Sequence, residues 1–342
     1  MTMHTIDGSQ GEGGGQILRT ALALAGVTGT PVRIERIRAR RPKPGLQRQH
    51  LMAVQAAAAV CGGRLEGDAL HSQEVVLHPG RPVAGDYRFD IGSAGSATLV
   101  LQTVLPVLLA AAGPSTVTIR GGTHNPLAPP AEFLCHAFLP VLARLGLAVD
   151  VALERHGFMP AGGGVLRAAI SPGRTRTPLD LRDRGKALGR SATILHAHLP
   201  SHVAHREAQA LKHALRWSHA EITTVEVPSD GPGNALLIRL DFAEVSCVVT
   251  SCGELRKPAE AVAAAAARQV QRYLEREVPV DEHLADQLLL PLALGAGGCF
   301  RTGPLSEHTR TNAAVINAIL GPVVTWTEGG SEVLVQVAGR GA

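Results

Sequence analysis

The sequence predicts a mixed α/β fold, with a large domain built from three similar units and a smaller α/β domain inserted into it. Two recurrences predict the three units. Short alternating strands end at chain breakers at 75–80, 168–173 and 334–339. Upstream of each ending, an apolar helical run, a glycine and a strand follow in the same order. A different order of elements over 184–278 predicts the insert.

The elements of the three units follow from hydrophobic periodicity and from the positions of proline and glycine. Each unit carries a first helix, a strand and a second helix. Proline near the start of the second helix and glycine after its end support this helix in the first two units. In chain order, the predicted helix, strand and helix are 16–25, 31–37 and 44–60 in the first unit, 96–112, 116–120 and 129–145 in the second, and 284–296, 299–300 and 312–320 in the third.

The insert has its own pattern of helices and strands, typical of a small α/β domain. The predicted elements are a strand at 192–199, a helix at 203–217, strands at 222–227, 235–240 and 245–250, and a helix at 259–275. The predicted domains are therefore 1–183 for the first two repeats of the large domain, 184–278 for the insert and 279–342 for the third repeat of the large domain.

The composition is that of a folded chain. Of 342 residues, 45% are hydrophobic and 18% are charged, so the chain can bury a large core. A balance of 33 basic against 29 acidic residues gives a net charge of +4, which by itself indicates no nucleic-acid partner.

The cysteines and the apolar runs bear on location. Five cysteines are scattered with no C-x-x-C pair, which argues against a structural zinc site and a disulfide framework and suits a reducing cytoplasm. The most apolar run, 97–112, contains Gln102 and Pro106 and is short for a membrane span. The first residues show no charged-then-apolar signal segment. We therefore expect a cytoplasmic protein that binds no membrane, in an oligomeric state that the sequence leaves open.

A glycine-rich loop precedes the first predicted helix. Residues 7–16 carry five glycines around Glu12, and Arg19 follows in the helix. Glycines before a helix N-terminus expose N–H groups to an anion, but the spacing fits neither the dinucleotide-binding nor the P-loop pattern. Glu12 in such a loop indicates a metal ion, because Mg²⁺ is commonly held by a carboxylate together with phosphate oxygens. The alternative is a tight turn that needs positive φ angles.

Basic residues are dense in and after the first predicted strand. Arginine and lysine at this density can bind a phosphodiester backbone, and the lack of interleaved aromatic residues argues against base stacking. The alternative is a solvated strand and loop. The basic residues are Arg33, Arg36, Arg38, Arg40, Arg41, Lys43 and Arg48.

Three further segments could contribute to a site. A stretch of small residues, 90–98, has the place in the second unit that the glycine-rich loop has in the first, and Gln102 follows it. The third unit contains segments 283–287 and 306–312, the latter with His308. A lone histidine is usually a surface or packing residue, and no G-x-S-x-G motif points to a hydrolase.

Together these segments resemble the RNA 3′-terminal phosphate cyclases. The matching motifs keep the order expected for that family from about Asp7 to Thr327, and several are long and unusual in composition. The matching stretches are 11–19, 43–46, 48–50, 91–95, 102–106, 121–123, 125–126, 129–130, 156–158, 160–164, 284–287 and His308.

The resemblance implies an enzyme that uses ATP to convert an RNA 3′-terminal phosphate into a 2′,3′-cyclic phosphodiester. Histidine–AMP and RNA-adenylate intermediates are implied, with release of pyrophosphate and AMP. The resemblance also implies that the three-unit domain is similar to the C-terminal domain of a translation initiation factor.

The resemblance assigns roles to individual residues as well. His308 would be the nucleophile that becomes adenylylated, and Glu12 would help to bind a divalent metal, Mg or Mn. The AMP moiety would be held by Gln102, His283, Leu284, Ala285, Asp286 and Gln287. Contacts to the RNA phosphate or the triphosphate would come from Arg19, Arg38, Arg41, Gln49 and His50.

Two other functions are alternatives. One is a cyclase-like scaffold that binds ribosomal RNA without turnover, but relatives of that kind lack the nucleophilic histidine that His308 supplies. The other is an enolpyruvyl transferase, which shares a related repeated architecture and forms no covalent nucleotide adduct. Lysine-based nucleotide ligases are excluded, because no K-x-D-G surrounds any lysine. His283 departs from the aromatic residue that the cyclase family often has at its position.

Overall fold

The computed structural model describes residues 2–173 and 177–340 and has the mixed α/β fold that the sequence predicts. Residues 1, 174–176, 341 and 342, which the predicted domain ranges include, lie outside the described residues. Within the described ranges, no helix has both the length and the apolar character needed to cross a membrane.

Four sheets of four strands each form the β-structure of the described chain, and helices pack against them. The strands are β1 (His4–Asp7), β2 (Val32–Glu35), β3 (Arg64–Glu66), β4 (Val75–His78), β5 (Asp86–Asp90), β6 (Ser115–Gly121), β7 (Val149–Arg155), β8 (Gly164–Ile170), β9 (Leu179–Leu181), β10 (Ala187–Ala197), β11 (Ile222–Glu226), β12 (Gly233–Phe242), β13 (Ser246–Cys252), β14 (Gly297–Thr302), β15 (Val324–Gly329) and β16 (Glu332–Ala338). The helices are α1 (Gly15–Thr28), α2 (Arg48–Val60), α3 (Ala97–Leu109), α4 (Ala131–Phe133), α5 (Leu139–Arg144), α6 (Ser201–Leu215), α7 (Ala259–Arg276), α8 (Glu282–Leu294) and α9 (Glu307–Leu320).

Three of the four sheets share one strand order. Numbered in chain order within each sheet, strands one and two pair in parallel. Strand four pairs antiparallel with strand two, and strand three forms the edge of the sheet next to strand four. A helix connects each parallel pair, as a crossover between parallel strands requires. The three sheets are β1-β2-β4-β3, β5-β6-β8-β7 and β9-β14-β16-β15.

The third of these sheets begins earlier in the chain than the sequence predicted. β9 pairs in parallel with β14, from Leu179 opposite Gly298 to Leu181 opposite Phe300. The range 1–183, predicted to hold only the first two repeats, therefore also holds the first strand of the third sheet. With three residues, β9 is too short for an alternating pattern to mark it. The insert consequently lies between β9 and α8.

The fourth sheet, β11-β10-β12-β13, belongs to the insert. α6 and α7 cover one of its faces and share an apolar core with it, which includes Trp217, Ile238 and Val262. Alternate residues of a strand point to opposite faces, and the other face meets the large domain. There Phe158 of the large domain packs into a cluster of insert residues, which are Leu195, Ala197, Val227, Ala235 and Leu237.

The second helix of every unit differs from its predicted extent. α2 begins at Arg48, four residues after the predicted start at 44. α9 begins one turn before the predicted 312–320, because Ser306 Oγ accepts a hydrogen bond from Thr309 N at 3.1 Å and caps the helix. This extension brings His308 into the first helical turn. The predicted helix 129–145 consists of α4, a π-helical stretch and α5.

Candidate functional site

The glycine-rich loop between β1 and α1 allows close packing of charged side chains. Gly11 and Gly13 have φ angles of 50° and 61°, a region that favours glycine. A Cβ on Gly14 would lie 2.7 Å from Glu12 Oε2 and 3.0 Å from Arg41 Nη2. The loop thus lets two charged side chains lie over the start of α1, where backbone N–H groups favour an anion.

Glu12 connects the glycine-rich loop to the residues around His308. Its carboxylate forms an ion pair with Arg41, and its Oε2 lies 3.1 Å from His308 Nδ1. Glu12 Oε2 is buried and accepts no well-aligned hydrogen bond from the described residues. The backbone N–H of Glu12 donates to Thr311 Oγ1 at 3.2 Å, which ties the loop to α9.

The environment of Glu12 fits a divalent cation when the substrate supplies further ligands. Mg²⁺ takes oxygen ligands, usually one or two carboxylates with waters and phosphate oxygens. Across 2–173 and 177–340, no group of three or more His, Cys, Asp or Glu side chains is arranged to hold a metal ion. The under-bonded Glu12 Oε2 supplies one carboxylate oxygen, so phosphate oxygens and water would have to complete the shell.

His308 lies in the first turn of α9, with 56% of its side chain exposed. Burial of the rest of the ring lowers the pKa of His308, and Asp286 acts in the opposite direction. The cations Arg19 and Arg41 lower this pKa further. The imidazole is therefore neutral near pH 7 and keeps a lone pair for nucleophilic attack. Because Nδ1 faces Glu12, Nε2 is the nitrogen that can reach a substrate.

Asp286 lies buried behind His308, on α8. Its Oδ1 accepts a hydrogen bond from Asn312 Nδ2 at 2.9 Å, and its Oδ2 accepts one from Gln287 Nε2 at 2.9 Å. Burial raises the pKa of Asp286, whereas the Asn312 bond and the nearby Arg19 guanidinium lower it. The carboxylate is thus held in one orientation among cationic and amide groups.

Arg19 and His50 lie together beside Gly15. Arg19 Nη2 donates to Gln16 Oε1 at 2.7 Å, and burial lowers the pKa of Arg19 to about 10, so it stays cationic at neutral pH. Burial, with Arg38 and Arg19 nearby, lowers the pKa of His50 to about 3. His50 Nδ1 accepts from the backbone N–H of Gln47 at 3.3 Å. The proton of neutral His50 is therefore on Nε2, which can donate to an anion.

Arg38 and Gln49, both predicted to contact RNA or triphosphate, bind backbone groups in the structure. Arg38 Nη1 donates to the carbonyls of Lys43 and Gly45 at 2.5 and 3.0 Å, which closes the basic loop. Gln49 Oε1 accepts from Ser96 N at 2.6 Å and so ties α2 to the small-residue loop before α3. Their predicted roles at the substrate stay predictions.

A cavity of about 440 Å³ lies between α1, α3 and α8. Its lining includes Arg19, Gln102, Asp286 and Gln287, which come from three different units and were predicted to bind substrate or AMP. Gln102 Nε2 is buried and has no hydrogen-bond partner among the described residues. An unpaired buried amide is costly, so Gln102 is free to donate to a ligand.

The other predicted AMP residues have different surroundings. Leu284 and Ala285 are fully buried in the apolar core of the large domain, so only their backbone could contact a nucleotide. His283 borders a smaller recess of about 50 Å³, together with Asp281 and Thr302. Asp281 caps α8 by accepting from the backbone N–H of His283 at 2.8 Å.

No role was predicted for three residues that the structure brings into this site. Thr311 and Asn312 follow His308 at i+3 and i+4, so the three share one face of α9. Thr20, on α1, donates to Asn312 Oδ1 at 2.7 Å. The i+3 and i+4 spacing was present in the sequence, but the predicted helix started at 312 and left His308 outside it.

Comparison of the sequence with known proteins identifies the family to which this chain is similar. The sequence model of the family described as RNA 3′-terminal phosphate cyclase matches residues 10–325. An RNA 3′-terminal phosphate cyclase of Ralstonia nicotianae is 51% identical over 316 residues, which cover 92% of this chain and 91% of the relative. One of Pseudomonas fluorescens is 50% identical over 326 residues, with 95% of each chain covered.

A solved structure, the enolpyruvyl transferase NikO from Streptomyces tendae, matches with 14% identity and a TM-score of 0.38. The match covers 100% of this chain and 49% of NikO, and a likeness this weak has no bearing on function. The model match over most of the chain, together with relatives at half identity, defines the family. The chain belongs to the RNA 3′-terminal phosphate cyclase family.

Proposed function

We propose that this protein uses ATP to convert the 3′-terminal phosphate of an RNA into a 2′,3′-cyclic phosphodiester, and that His308 carries AMP during the reaction. The relatives named as cyclases support the activity. The observation that supports His308 is its half-exposed, neutral imidazole, oriented by Glu12 and surrounded by Arg19, Arg41 and Asp286.

The reaction would proceed in three displacements at phosphorus. First, His308 Nε2 attacks the α-phosphorus of ATP; a P–N bond forms, a P–O bond breaks and pyrophosphate leaves. Second, an oxygen of the RNA 3′-phosphate attacks the same phosphorus, the P–N bond breaks, and an RNA-adenylate anhydride forms. Third, the ribose 2′-OH attacks the RNA phosphorus, loses its proton and expels AMP. The last nucleophile is already part of the substrate, which makes ring closure fast and requires RNA rather than DNA.

The side chains around His308 suit this chemistry. Arg19 and Arg41 would neutralise negative charge on the transferring phosphoryl group. His50 Nε2 would donate a hydrogen bond to a phosphate oxygen, and Gln102 and Asp286 would hold the AMP moiety. A divalent metal, Mg or Mn, bound through Glu12, would supply further charge neutralisation at the phosphates.

Three broader features belong to the same proposal. The shared strand order of three sheets supports a large domain similar to the C-terminal domain of a translation initiation factor. The separate core of the fourth sheet supports an insert domain over about 184–278. Five free cysteines support a reducing, cytoplasmic location.

Incubation with α-labelled ATP tests the proposal. We expect label that survives denaturation and alkali but is released by acid, as for a phosphoramidate, and that mass spectrometry locates on His308. His308→Ala and His308→Asn should lose both the adduct and RNA cyclisation while remaining folded. The matched control is His213→Ala, at an exposed position on α6. A His308→Ala protein that keeps the adduct would overturn the assignment, and wild-type protein that binds RNA without any adduct would favour the scaffold alternative.

A further inference from the structure

One face of α9 reaches from the candidate site into the core. His308 is half exposed, whereas Thr311 and Asn312, one turn further along, are 5% and 2% exposed. Residues at i, i+3 and i+4 of a helix lie on the same face, so the two buried polar side chains lie directly behind the imidazole. A buried amide needs partners for all of its hydrogen-bonding groups, and those of Asn312 come from two other helices.

Asn312 joins α9 to α1 and α8. Its Nδ2 donates to both the backbone carbonyl and Oδ1 of Asp286, each at 2.9 Å. Its Oδ1 accepts from Thr20 Oγ1 at 2.7 Å. Both sides of the amide are thereby used, and a flipped amide would place its oxygen against the two acceptor oxygens of Asp286. The three hydrogen bonds fix the orientation of Asn312.

These bonds belong to a directional chain between two charged residues. Arg19 Nη2 donates to Gln16 Oε1, Gln16 Nε2 donates to Thr20 Oγ1 at 3.2 Å, and Thr20 donates to Asn312. Asn312 then donates to Asp286. The chain starts at the guanidinium and ends at the carboxylate that face His308 from α1 and α8, so the relative positions of three helices depend on it.

We propose that Asn312 is a positioning residue for adenylyl transfer: through Thr20 and Asp286 it holds α1 and α8 in the arrangement that sets Arg19 and Asp286 around His308. This inference rests on the proposed function of His308. Asn312 itself lies behind the imidazole and does not touch the reacting atoms. Loss of its bonds would displace Asp286 and Arg19 relative to His308.

Single-turnover adenylylation of four variants, measured against ATP concentration, tests this role. We expect Asn312→Ala to reduce the maximal rate of adduct formation by about 100-fold, the effect of a misplacement near 1 Å. Thr20→Val, which keeps the shape but removes the hydroxyl, should reduce it less, and Thr20→Ser should regain most of that loss. The double variant Asn312→Ala/Thr20→Val should be no slower than Asn312→Ala, because both changes break the same bond.

Asn317 provides a matched control on the same helix. It is also an asparagine of α9 that binds backbone, with Nδ2 donating to Val324 O at 2.9 Å and Oδ1 accepting from Val324 N at 2.8 Å. Asn317→Ala should lower the urea midpoint of unfolding without changing the adduct rate of the folded protein.

Equal adduct rates for Asn312→Ala and Asn317→Ala would refute the positioning role. So would a double variant Asn312→Ala/Thr20→Val in which the losses of the two single variants add. If Asn312→Ala does not fold, the adduct rates of Thr20→Val and Thr20→Ser are compared instead, and equal rates would refute the role. A wild type that forms no adduct would overturn the proposed function and this role together.

Discussion

Two histidines of the candidate site are neutral at pH 7 but have different surroundings. His50 is held by a backbone bond to Nδ1, and its pKa of about 3 keeps it a fixed neutral donor across the physiological range. His308 also has a lowered pKa, but it stays half exposed at a helix start, where a ring nitrogen remains accessible. The same side chain is therefore a binding group in one place and a candidate nucleophile in the other.

Glu12 is the residue on which metal dependence should rest. Glu12→Gln keeps the size of the side chain but removes the charge that a divalent cation would bind. We expect the Mg²⁺ concentration for half-maximal adenylylation to rise at least about tenfold, a loss near 1.4 kcal/mol of metal binding. RNA affinity should fall much less.

Glu307→Gln is the matched control, because Glu307 is an exposed carboxylate next to His308 in the same helical turn. Its metal titration should be that of wild type. Identical metal titrations for the Glu12 and Glu307 variants would mean that Glu12 serves only to orient His308 and to pair with Arg41.

At the scale of elements, the residue at which a helix begins determines which side chains lie in the candidate site. Ser306 caps α9 and Asp281 caps α8, and these two caps set the positions of His308 and Asp286. Between α4 and α5, the chain forms a π-helical stretch over Leu134–Phe138. Such stretches often occur near functional sites, and this one packs against α8 and β13.

The sequence predicted the fold class and the helix, strand and helix at the centre of each unit, but it missed the opening strands β1, β5 and β9 and placed the ends of elements poorly. Periodicity identifies the middle of a helix, whereas a start depends on a cap such as Ser306, and serine is also common in turns. Glu12, Arg41 and His308 were predicted through resemblance, and the structure brings them together. Asn312 could not be identified in this way, since its partner Thr20 is remote in sequence and only the packing of α1 against α9 joins them.

The packing of Phe158 against the insert sheet should couple the stability of that sheet to the rest of the molecule. Phe158→Ala removes a buried ring from a small cluster, so we expect a loss of about 3–5 kcal/mol in the free energy of unfolding of the insert. The fluorescence of the two tryptophans reports the unfolding of different parts of the molecule, because Trp217 lies in the insert and Trp326 lies in β15.

Urea unfolding of single-tryptophan variants, made with Trp326→Phe or Trp217→Phe, would measure this coupling. The Trp217 signal of Phe158→Ala should unfold at lower urea than the Trp326 signal, and Phe158→Leu should give a smaller separation. Coincident transitions that shift together would show that the insert has no stability of its own.

At the scale of the whole molecule, one apolar core joins all three similar sheets with their helices, and the insert adds a second. Residues of the candidate site come from every unit: Arg19 from the first, Gln102 from the second, Asp286 and His308 from the third. The site therefore forms only where the units meet, which is why each motif taken alone is a weak indication of function and their combination is a strong one.

The stability of the molecule should depend on pH through Glu207. This carboxyl is buried in the insert, burial raises its pKa to about 7, and Asn234 is its hydrogen-bond partner at 3.0 Å. Its folded-state pKa exceeds the value of 4.5 for an unperturbed glutamate. The folded state thus binds the extra proton, so this contribution to stability is present below about pH 4.5 and is lost as the pH rises through 7.

Urea midpoints followed by Trp217 fluorescence from about pH 5 to about pH 8 would measure this effect, which one proton limits to about 1.4 kcal/mol per pH unit. Relative to wild type, Glu207→Gln should lose less stability as the pH rises over this interval, whereas Glu275→Gln, at an exposed position on α7, should follow wild type. A Glu207→Gln protein with the same pH dependence as wild type would contradict the assignment.

The position of the insert between β9 and α8 has a consequence for synthesis on the ribosome. β9 leaves the exit tunnel early, but its partner β14 follows only after the entire insert has been translated. Pairings between strands that are distant in the chain form slowly, and domains generally fold as units during synthesis. The first two sheets and the insert can thus fold while β9 is still unpaired, because β14 has not yet been synthesised. Asp286, His308 and Asn312 all come later, so a nascent chain would have no adenylylation centre until its final unit is translated.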